Sequence, residues 1–423
     1  MVVWLIADDF TGANDSIVRF AMSGARSATI FDPLFRMEQV SQFHAVALNA
    51  NSRGMSSEGA YQTNYAVIQR LALNEGDMVY KKVDSALRGN MGPEIDAILD
   101  GLGNEITALV APALPDSQRS TLGGYQLIRE TLVHETEMAA DPVTPVRESH
   151  LPTLLARTSR RKIGYLPLGI ISGGLEKTSK AFHEQTSAGC RIVVADACRN
   201  EHLDILAQLT VTSAAIILPC GSAGLAGALA RRIFPPPGMA SPFEATSAGP
   251  IAAIIGSKSR TAFLQLRQAL LDLNWLTEIE VDRIAITSAF QGQDEIFRIR
   301  ELAERAYAND RGGIIIRPDA DPTIDPEKIS ASLLAAGLGN VARMLVEEAG
   351  VKTLYLSGGD ITANAVSALG GWGLTVRAEL ESGVCLGNLQ GGRFEGLPII
   401  TKAGSFGDVG TLTRVLRILR KNC

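Results

Sequence analysis

The stretch VVWLIADDFTGANDS (residues 2–16) runs from six mostly apolar residues into two adjacent carboxylates, Asp8 and Asp9, and then into a helix-like segment. A continuous apolar run is typical of a strand that is covered on both faces, as in a parallel sheet. Because neighbouring strand residues point to opposite faces, we expect one carboxylate to brace the loop and the other to face a crevice. Open α/β sheets bind ligands outside the carboxyl ends of their strands, although both acids could instead cap the following helix.

Short apolar segments alternate with helical patterns along the whole chain. The predicted strands are VVWLIA, ATIF, AVALNA, MVYKKV, ALVAPA, RIVVAD and AAIILP in the amino half, and IAAIIG, IAIT, GIIIR, TLYLS and PIITKA in the carboxyl half. Such alternation predicts the α/β class, with two domains that each contain a largely parallel sheet flanked by helices.

The 423 residues exceed one typical core, and a domain boundary is predicted where the composition changes. The stretch IFPPPGMASPFEATSAGP (233–250) is rich in Pro, Ser, Gly and Ala and lacks helix or strand periodicity, which favours an extended linker. We therefore predict domains at 1–234 and 251–423, joined by a linker at 235–250. A second stretch, DPVTPVRESHLPTLL (141–155), contains three prolines and is predicted to be a long loop.

The composition argues against several classes of protein. Apolar residues make up 46% and charged residues 20% of the chain, which is typical of a globular protein. The net charge of −5 and the lack of a basic block argue against nucleic-acid binding. Five cysteines without a CxxC motif favour reduced thiols, and five scattered histidines argue against a metal site built by the protein alone. Without a basic leader or a membrane-length apolar run, we expect a cytoplasmic location and no membrane partner.

Polar clusters follow four strand ends in the amino half, and parallel strand ends lie at one edge of a sheet, where these side chains could meet. Arg and Lys suit a carboxylate or phosphate, and Asp and Asn suit hydroxyl groups. Each cluster alone is weak evidence for a binding site, since Lys82 and Asp84 could form a surface ion pair and Arg53 could be a solvated surface residue. Together they predict a site for a small, polyhydroxylated acid. The clusters are Asp8 and Asp9; Asn51 and Arg53; Lys81, Lys82, Asp84, Ser85 and Arg88; and Asp116, Gln118 and Arg119.

Three turns in the carboxyl half are rich in glycine, and each lies between a predicted strand and a helix. Glycine lets the backbone approach a ligand closely, and a helix N-terminus supplies free N–H donors for phosphate. One such turn could serve packing alone, but three turns with a lysine favour a nucleotide site. The chain lacks a Walker A motif, a GxGxxG fingerprint and the protein-kinase catalytic-loop signature. The turns contain Gly256 and Ser257; Gly358, Gly359 and Asp360; and Lys402, Gly404, Gly407 and Asp408.

Five segments taken together resemble the signatures of the four-carbon acid sugar kinase family. They are ADDFTGANDS, KKVDSALRGN, DPVTPVRESH, LSGGDITA and ITKAGSFGD, in that order. The resemblance covers nearly the whole chain and looks closest to the D-threonate kinases. It implies an amino-terminal sugar-acid domain and a carboxyl-terminal nucleotide domain. It also implies ATP-dependent phosphorylation of the terminal hydroxyl of a tetronate, with D-threonate, D-erythronate, L-threonate or a 3-oxo-tetronate as the substrate of different members.

The family pattern also implies contacts at particular positions of this chain. Asp9 is the first candidate to orient or deprotonate the attacking hydroxyl, and Asp408 is the second. Arg53 and Lys82 would hold the substrate carboxylate, while Asp84 and Ser85 would bind its hydroxyls. The implied substrate contacts are Asp9, Arg53, Lys82, Val83, Asp84 and Ser85. The implied ATP contacts are Ser257, Gly358, Gly359, Asp360, Ile361, Thr362 and Gly404.

Mg²⁺ is expected to arrive with ATP and to touch Asp360 or Asp408 through water. The active site is expected in the cleft between the two domains, and the prolines at 235–237 are expected to act as a hinge for closure. A homodimer is a possible partner arrangement.

Two other functions fit parts of the pattern. A nicotinamide-dependent dehydrogenase is disfavoured by the missing GxGxxG motif, and a non-catalytic sensor would bind both ligands without turnover.

Overall fold

The structure is a computed structural model that describes residues 1–31, 35–141, 143–234, 249–256, 259–308, 312–319, 329–404 and 406–421. Its contacts divide the chain into two compact units. The amino unit comprises Met1–Thr29 and Arg36–Ala240, and the carboxyl unit comprises Ile30–Phe35 and Ser241–Cys423. Most of the predicted linker, residues 235–248, lies outside the described residues.

Strands and helices alternate through the amino unit, as predicted. In chain order they are β1 Val3–Ala7, α1 Phe10–Met22, β2 Ser27–Ile30, α2 Met37–Val40, β3 Ala45–Asn49, α3 Ser57–Arg70, β4 Met78–Lys82, α4 Met91–Leu102, β5 Thr107–Ala111, β6 Arg119–Leu122, β7 Tyr125–Ile128, β8 Thr131–Leu132, α5 Leu151–Thr158, β9 Ile163–Leu166, α6 Leu168–Ile171, α7 Leu175–Ser187, β10 Ile192–Ala195, α8 Asn200–Thr212, β11 Ile217–Gly221 and α9 Ala223–Ile233. Short 3₁₀ helices lie at Pro115–Ser117, Val133–Glu135 and Glu137–Ala140.

The main strands of the amino unit lie in the order β2-β3-β1-β4-β11-β5-β10-β9, and those from β3 to β9 are parallel. From β1 the chain crosses to β2 and β3 on one side, and then to β4 on the other. Helix α1 packs against α9 and helix α4 against α3, so right-handed connections place the helices after β1 and β4 on opposite faces. This is the switch point at which open α/β sheets bind ligands. Ala7 pairs in register with Asn49 and Lys82, so the three strands end at the same level.

The carboxyl unit repeats this arrangement. Its elements are β12 Ile251–Ile255, α10 Arg260–Asp272, β13 Leu276–Val281, α11 Arg283–Thr287, α12 Gly292–Ala308, β14 Gly313–Pro318, α13 Ala331–Glu347, β15 Thr353–Ser357, α14 Gly359–Ala368, β16 Gly373–Glu381, β17 Val384–Gln390, β18 Pro398–Lys402 and α15 Thr411–Lys421. The strand order is β13-β14-β12-β15-β18-β17-β16, parallel from β13 to β18 and antiparallel from β18 to β16. The prediction of two α/β units with largely parallel sheets is therefore confirmed.

Two buried cores cover the two faces of the carboxyl sheet. One contains residues of α11, α12, α13 and α14, and the other contains residues of α10 and α15. The helices after the adjacent strands β12 and β15 therefore lie on opposite faces, which makes the space beyond these two strands the switch point of this unit.

Two local predictions were wrong. The segment IAIT, predicted as a strand, lies in helix α11, because Asp282 caps this helix by accepting hydrogen bonds from the N–H groups of Ile284 and Ala285, both at 2.9 Å. The strand of this region is β13, which ends one residue before the cap. The segment 141–155 is irregular only in its first part, since α5 begins at Leu151 with Pro152 in its first turn.

A small antiparallel sheet, β6-β7-β8, was not predicted. Its first turn is Gly123-Gly124, with φ angles of 63° and 77°, and two consecutive positive φ angles are typical of a two-residue hairpin turn. The Gly-Gly pair between Thr121-Leu122 and Tyr125-Gln126 was therefore an available signal.

None of the described helices has the length and apolar character needed to cross a membrane. Four cysteines are free thiols, and Cys423 lies outside the described residues. The four are Cys190, Cys198, Cys220 and Cys385.

Candidate functional site

The two carboxylates at the end of β1 contact the same partner. The strand ends at Ala7, so Asp8 and Asp9 already lie in the turn before α1. Asp9 caps this helix, its Oδ1 accepting a hydrogen bond from Gly12 N at 2.9 Å. The expectation that the two carboxylates face opposite ways was wrong, because strand alternation ends with the strand. Both bind the guanidinium of Arg53, which comes from the loop after β3.

Arg53 is held by four hydrogen bonds. Its Nε and Nη2 donate to Asp8 at 2.7 and 3.2 Å, and its Nη1 and Nη2 donate to Asp9, both at 2.8 Å. These bonds occupy four of the five N–H groups of a guanidinium. Arg53 thus lies where the sequence placed it, but in this structure most of its donors hold the two carboxylates and one remains for a ligand.

Neighbouring charges move the pKa values of the two carboxyls in opposite directions. Burial raises the pKa of Asp8, but Arg53, Lys82 and Lys81 outweigh this effect and lower it. Burial also raises the pKa of Asp9, and repulsion from Asp8 and Asp84 adds to this against the attraction of Arg53, so the net shift is upward. Asp9 is therefore the carboxylate of the pair that accepts a proton more readily.

Two adjacent lysines at the end of β4 have different environments. The Nζ of Lys81 is fully buried and lies 2.9 Å from Glu94 Oε2, with Asn64 Oδ1 at 3.3 Å. Lys82 points the other way and is 4% exposed. Within the described residues, its ammonium has no ion pair and no hydrogen bond.

The first turn of α1 brings Lys82 and Asp9 close together. A Cβ atom on Gly12 would lie 2.2 Å from Lys82 Nζ and 2.7 Å from Asp9 Oδ1. The ammonium and the carboxylate therefore border the same small space, which glycine leaves open. A cation beside a proton acceptor is an arrangement that binds a hydroxyl group and an incoming anionic group.

The residues after Lys82 lie at the same sheet edge. Asp84 accepts hydrogen bonds from Arg88 Nε at 2.7 Å and Arg88 N at 3.2 Å, and lies 3.9 Å from Arg53 Nη2. Burial would raise the pKa of Asp84, but Arg53 and Arg88 lower it far below its usual range. Ser85 is buried beside them. Val83 is a core residue, so only its backbone could meet a substrate.

The fourth predicted cluster is divided by the fold. Asp116 is exposed and accepts a hydrogen bond from Asn200 Nδ2 at 2.8 Å, and Gln118 is exposed in the same turn. Arg119 turns inward instead, and its Nη1 donates to Ser85 Oγ. Arg119 was predicted from the sequence as a member of this cluster but was not among the implied substrate contacts.

A cavity of about 300 Å³ lies at the switch point of the carboxyl unit. It lies between the turn after β12, the turn after β15 and the first turns of α13. The α13 residues supply an apolar wall. Its size and apolar lining suit a flat heterocycle such as a nucleobase. The lining residues are Gly256, Arg283, Ile329, Ala331, Leu334, Ala335, Leu338, Gly358, Gly359, Asp360 and Ile361.

Four of the predicted ATP contacts line this cavity: Gly358, Gly359, Asp360 and Ile361. They form the N-cap and first turn of α14, so the N-terminal N–H groups of this helix lie next to the apolar wall, in an arrangement that suits an anion. The α13 residues were not predicted, and their only signal was the small and apolar run ASLLAAGLG at 331–339.

The other described residues predicted to contact ATP are not among the lining residues of this cavity. Thr362 is buried below the turn, its hydroxyl donating to Gly358 O at 2.9 Å. Gly404 is not a lining residue, and its carbonyl accepts hydrogen bonds from Ser259 Oγ at 2.7 Å and Lys402 Nζ at 3.2 Å. Burial lowers the pKa of Lys402 to about 8, and its ammonium binds backbone carbonyls of its own turn. Ser257 lies outside the described residues.

Asp408, the second candidate base, lies at the start of α15 and is 68% exposed at its side chain. It accepts hydrogen bonds from Gly410 N at 2.8 Å and from Arg414 Nη2 at 3.0 Å. Its slight burial raises its pKa, but these partners outweigh burial and lower it. An exposed, strongly ionised carboxylate is a weak proton acceptor, so the geometry favours Asp9 over Asp408.

Substituting Gly358 by Ala is expected to raise the KM for ATP by roughly 10- to 100-fold. Gly358 has φ 123°, which an L-residue rarely adopts, so the turn that lines the cavity must move. Gly350→Ala is the matched control, because its φ of 71° is also strained, no atom lies within 4 Å of an added Cβ, and it does not line the cavity. Both variants should lose about 1–3 kcal/mol of stability, and an equal KM in the two would contradict the assignment of this turn to ATP.

Known proteins match both units of the chain. A family model described as a sugar-binding N-terminal domain matches residues 3–229, and one described as a nucleotide-binding C-terminal domain matches residues 252–412. A D-erythronate kinase of Heliobacterium modesticaldum is 31% identical, with 96% of this chain and 94% of the relative covered. The chain belongs to the four-carbon acid sugar kinase family. It is therefore a phosphotransferase with an alcohol group as acceptor.

Another relative and two solved structures extend the comparison. A D-threonate kinase of Salmonella typhimurium is 30% identical, with 98% of both chains covered. A solved structure of a protein from Salmonella typhimurium LT2 superimposes with a TM-score of 0.83, at 24% identity and 98% coverage of both chains. A Haemophilus influenzae protein does so with a TM-score of 0.77, at 22% identity, covering 98% of this chain and 100% of the other. These two structures establish the fold over the whole chain.

Proposed function

We propose that this kinase transfers the γ-phosphoryl group of ATP to the terminal 4-hydroxyl of a four-carbon sugar acid, with D-threonate as the first candidate. The observation that carries the proposal is the ammonium of Lys82, a buried residue, which has no ion pair among the described residues and lies beside the carboxylate of Asp9. The alternatives are D-erythronate, L-threonate and a 3-oxo-tetronate. Identities of 31% to a D-erythronate kinase and 30% to a D-threonate kinase do not separate the first two.

In this proposal Asp9 orients or deprotonates the attacking hydroxyl. It accepts three hydrogen bonds in the structure, one on Oδ1 from Gly12 and two from Arg53, which leaves capacity on Oδ2 for a substrate hydroxyl. Lys82 neutralises charge on the reacting hydroxyl and on the group in transfer. Arg53 contributes its remaining N–H and fixes Asp9, because a positioned carboxylate reacts faster than a mobile one.

The carboxyl unit contributes the nucleotide side of the reaction. The apolar wall of α13 would hold the base, and the first turn of α14 would hold phosphates. Mg²⁺ supplies charge neutralisation on the phosphates when it is bound with ATP. Asp360 is a lining residue of the cavity, and a carboxylate there fits a contact to such an ion through water. Transfer requires the γ-phosphate of ATP and the terminal hydroxyl of the acid to meet.

The test is ADP release with ATP, Mg²⁺ and a panel of D-threonate, D-erythronate, L-threonate, L-erythronate and 3-oxo-tetronates. Selective turnover of one acid is expected and would name the substrate. Silence across the panel with ATP binding intact would reject the tetronate assignment and favour a sensor role. Product analysis by ³¹P NMR would show whether the phosphate is on the 4-hydroxyl.

A further inference from the structure

The small antiparallel sheet carries an arginine into the substrate site of the amino unit. Arg119 is the first residue of β6, and its Nη1 donates a hydrogen bond to the hydroxyl of Ser85. Ser85 follows Asp84 directly, so the guanidinium lies at the sheet edge that holds the other predicted substrate contacts. Its side chain is largely but not fully covered, which leaves it reachable by a small ligand.

Arg119 differs from the two other arginines of this cluster. Arg53 forms ion pairs with Asp8 and Asp9. Arg88 forms one ion pair with Asp84 and a second with Asp141, whose Oδ2 lies 3.4 Å from Arg88 Nη1. Arg119 forms no ion pair in the part of the chain that the structure describes, and its single side-chain hydrogen bond goes to the neutral Ser85.

Burying a guanidinium without a carboxylate is costly, because the charge loses its water and gains no opposite charge. Burial lowers the pKa of Arg119, and repulsion from Arg88 lowers it further. The attraction of Asp84 raises this pKa but does not outweigh the other two effects. A cation held in this way is stabilised when an anionic ligand arrives. The cost of its burial in the free protein is then offset in the complex.

Several long-range hydrogen bonds hold the small sheet rigidly. The buried carboxylate of Asp196 accepts hydrogen bonds from Gly123 N and Gly124 N, both at 2.9 Å. Gln126 Nε2 donates to Ser85 O at 2.8 Å, which ties β7 to the strand end that carries Ser85. Arg119 therefore sits on a rigid support, as a recognition residue requires.

We infer that Arg119, together with Ser85, binds the carboxylate of the sugar acid and selects acids over neutral sugars. This inference rests on the proposed function and assigns one end of its substrate. The planar fork of a guanidinium matches a carboxylate in bidentate geometry. The hydroxyl of Ser85 accepts from Arg119 and so keeps its own hydrogen to donate to the same carboxylate. Lys82 and Asp9 then contact the opposite end of the sugar acid, where the hydroxyl reacts.

The experiment compares the acid that the panel identifies with its neutral carboxamide. For the wild-type chain, kcat/KM for the acid should exceed that for the amide. Arg119→Met should reduce this ratio by roughly 10- to 100-fold, the usual effect of losing a hydrogen-bonded charge. Arg119→Lys should restore part of the ratio, because it keeps the charge but lacks the fork. Arg157→Met is the control, since Arg157 is exposed and, among the described residues, its ion pair is with Glu148.

Three results would overturn the inference. One is an unchanged ratio in Arg119→Met, and another is an equal loss of kcat/KM for acid and amide, which would indicate a structural role. The third is the same loss in Arg119→Lys as in Arg119→Met at unchanged melting temperature. Failure of the proposed function is distinguishable, because it would remove turnover of every acid by the wild-type chain.

Discussion

Replacing Lys82 by Met is expected to lower kcat/KM for the sugar acid by roughly 100- to 1,000-fold, the range seen when one charge-stabilising donor is removed. The free energy of unfolding should stay near that of the wild-type chain. Lys82 is 4% exposed and its ammonium makes no ion pair among the described residues, so its removal breaks no hydrogen bond, and the relieved desolvation cost offsets the lost attraction to Asp8 and Asp9. Steady-state kinetics and urea unfolding measure the two effects separately.

Lys81→Met is the matched control, one residue away in the same strand. Its loss leaves Glu94 as a buried charge without its partner at 2.9 Å, so we expect about 3–5 kcal/mol of destabilisation. Glu94→Gln in the Lys81→Met background should recover part of this loss. If the two lysine variants had the same unfolding free energy, the assignment of Lys81 to folding and Lys82 to binding would be wrong.

Replacing Asp9 by Asn is expected to lower kcat by roughly 10²- to 10⁴-fold with a smaller change in KM. The amide oxygen can still cap α1 through Gly12 N, so the turn should keep its shape while the proton acceptor is lost. Asp408→Asn is the comparison, because this exposed carboxylate pairs with Arg414 and does not line the described cavity. It should keep kcat close to that of the wild-type chain.

The pH dependence of kcat tests the same assignment. Asp9 must be ionised to accept a proton, so kcat should fall as the pH drops through its pKa. Because burial and the carboxylates Asp8 and Asp84 raise this pKa above the usual 3.8, the acid limb should lie at higher pH than for an ordinary aspartate. A large loss of kcat in Asp408→Asn, with an unchanged acid limb in Asp9→Asn, would make Asp408 the base.

Much of the candidate site was predictable because its residues follow strand ends. The predicted strands VVWLIA, AVALNA and MVYKKV located β1, β3 and β4, and parallel strands end at one edge, so Asp9, Arg53 and Lys82 were expected to meet there. The same logic named Gly358 and Asp360, which line the cavity of the carboxyl unit. These predictions needed only the local pattern and one rule of sheet geometry.

Other parts of the site had no usable local signal. The α13 wall of the cavity comes from an apolar helix that resembles any core helix in sequence. IAIT was assigned to a strand because four residues do not distinguish the two periods, and the cap at Asp282 decided for a helix. Arg119 was named in the fourth polar cluster, but nothing local separated it from Asp116 and Gln118, since its hairpin is held by contacts to residues up to 77 positions away.

The sequence by itself determined two parallel α/β units and the turns at which ligands bind, because hydrophobic period and backbone sterics act over a few neighbouring residues. Only the tertiary structure decided which charged side chains form ion pairs with each other. It tied Arg53 to both Asp8 and Asp9, buried Lys81 against Glu94, and left Lys82 and Arg119 without ion pairs among the described residues. Those choices depend on packing between distant segments, and the chemistry of the site follows from the charges that folding leaves unpaired.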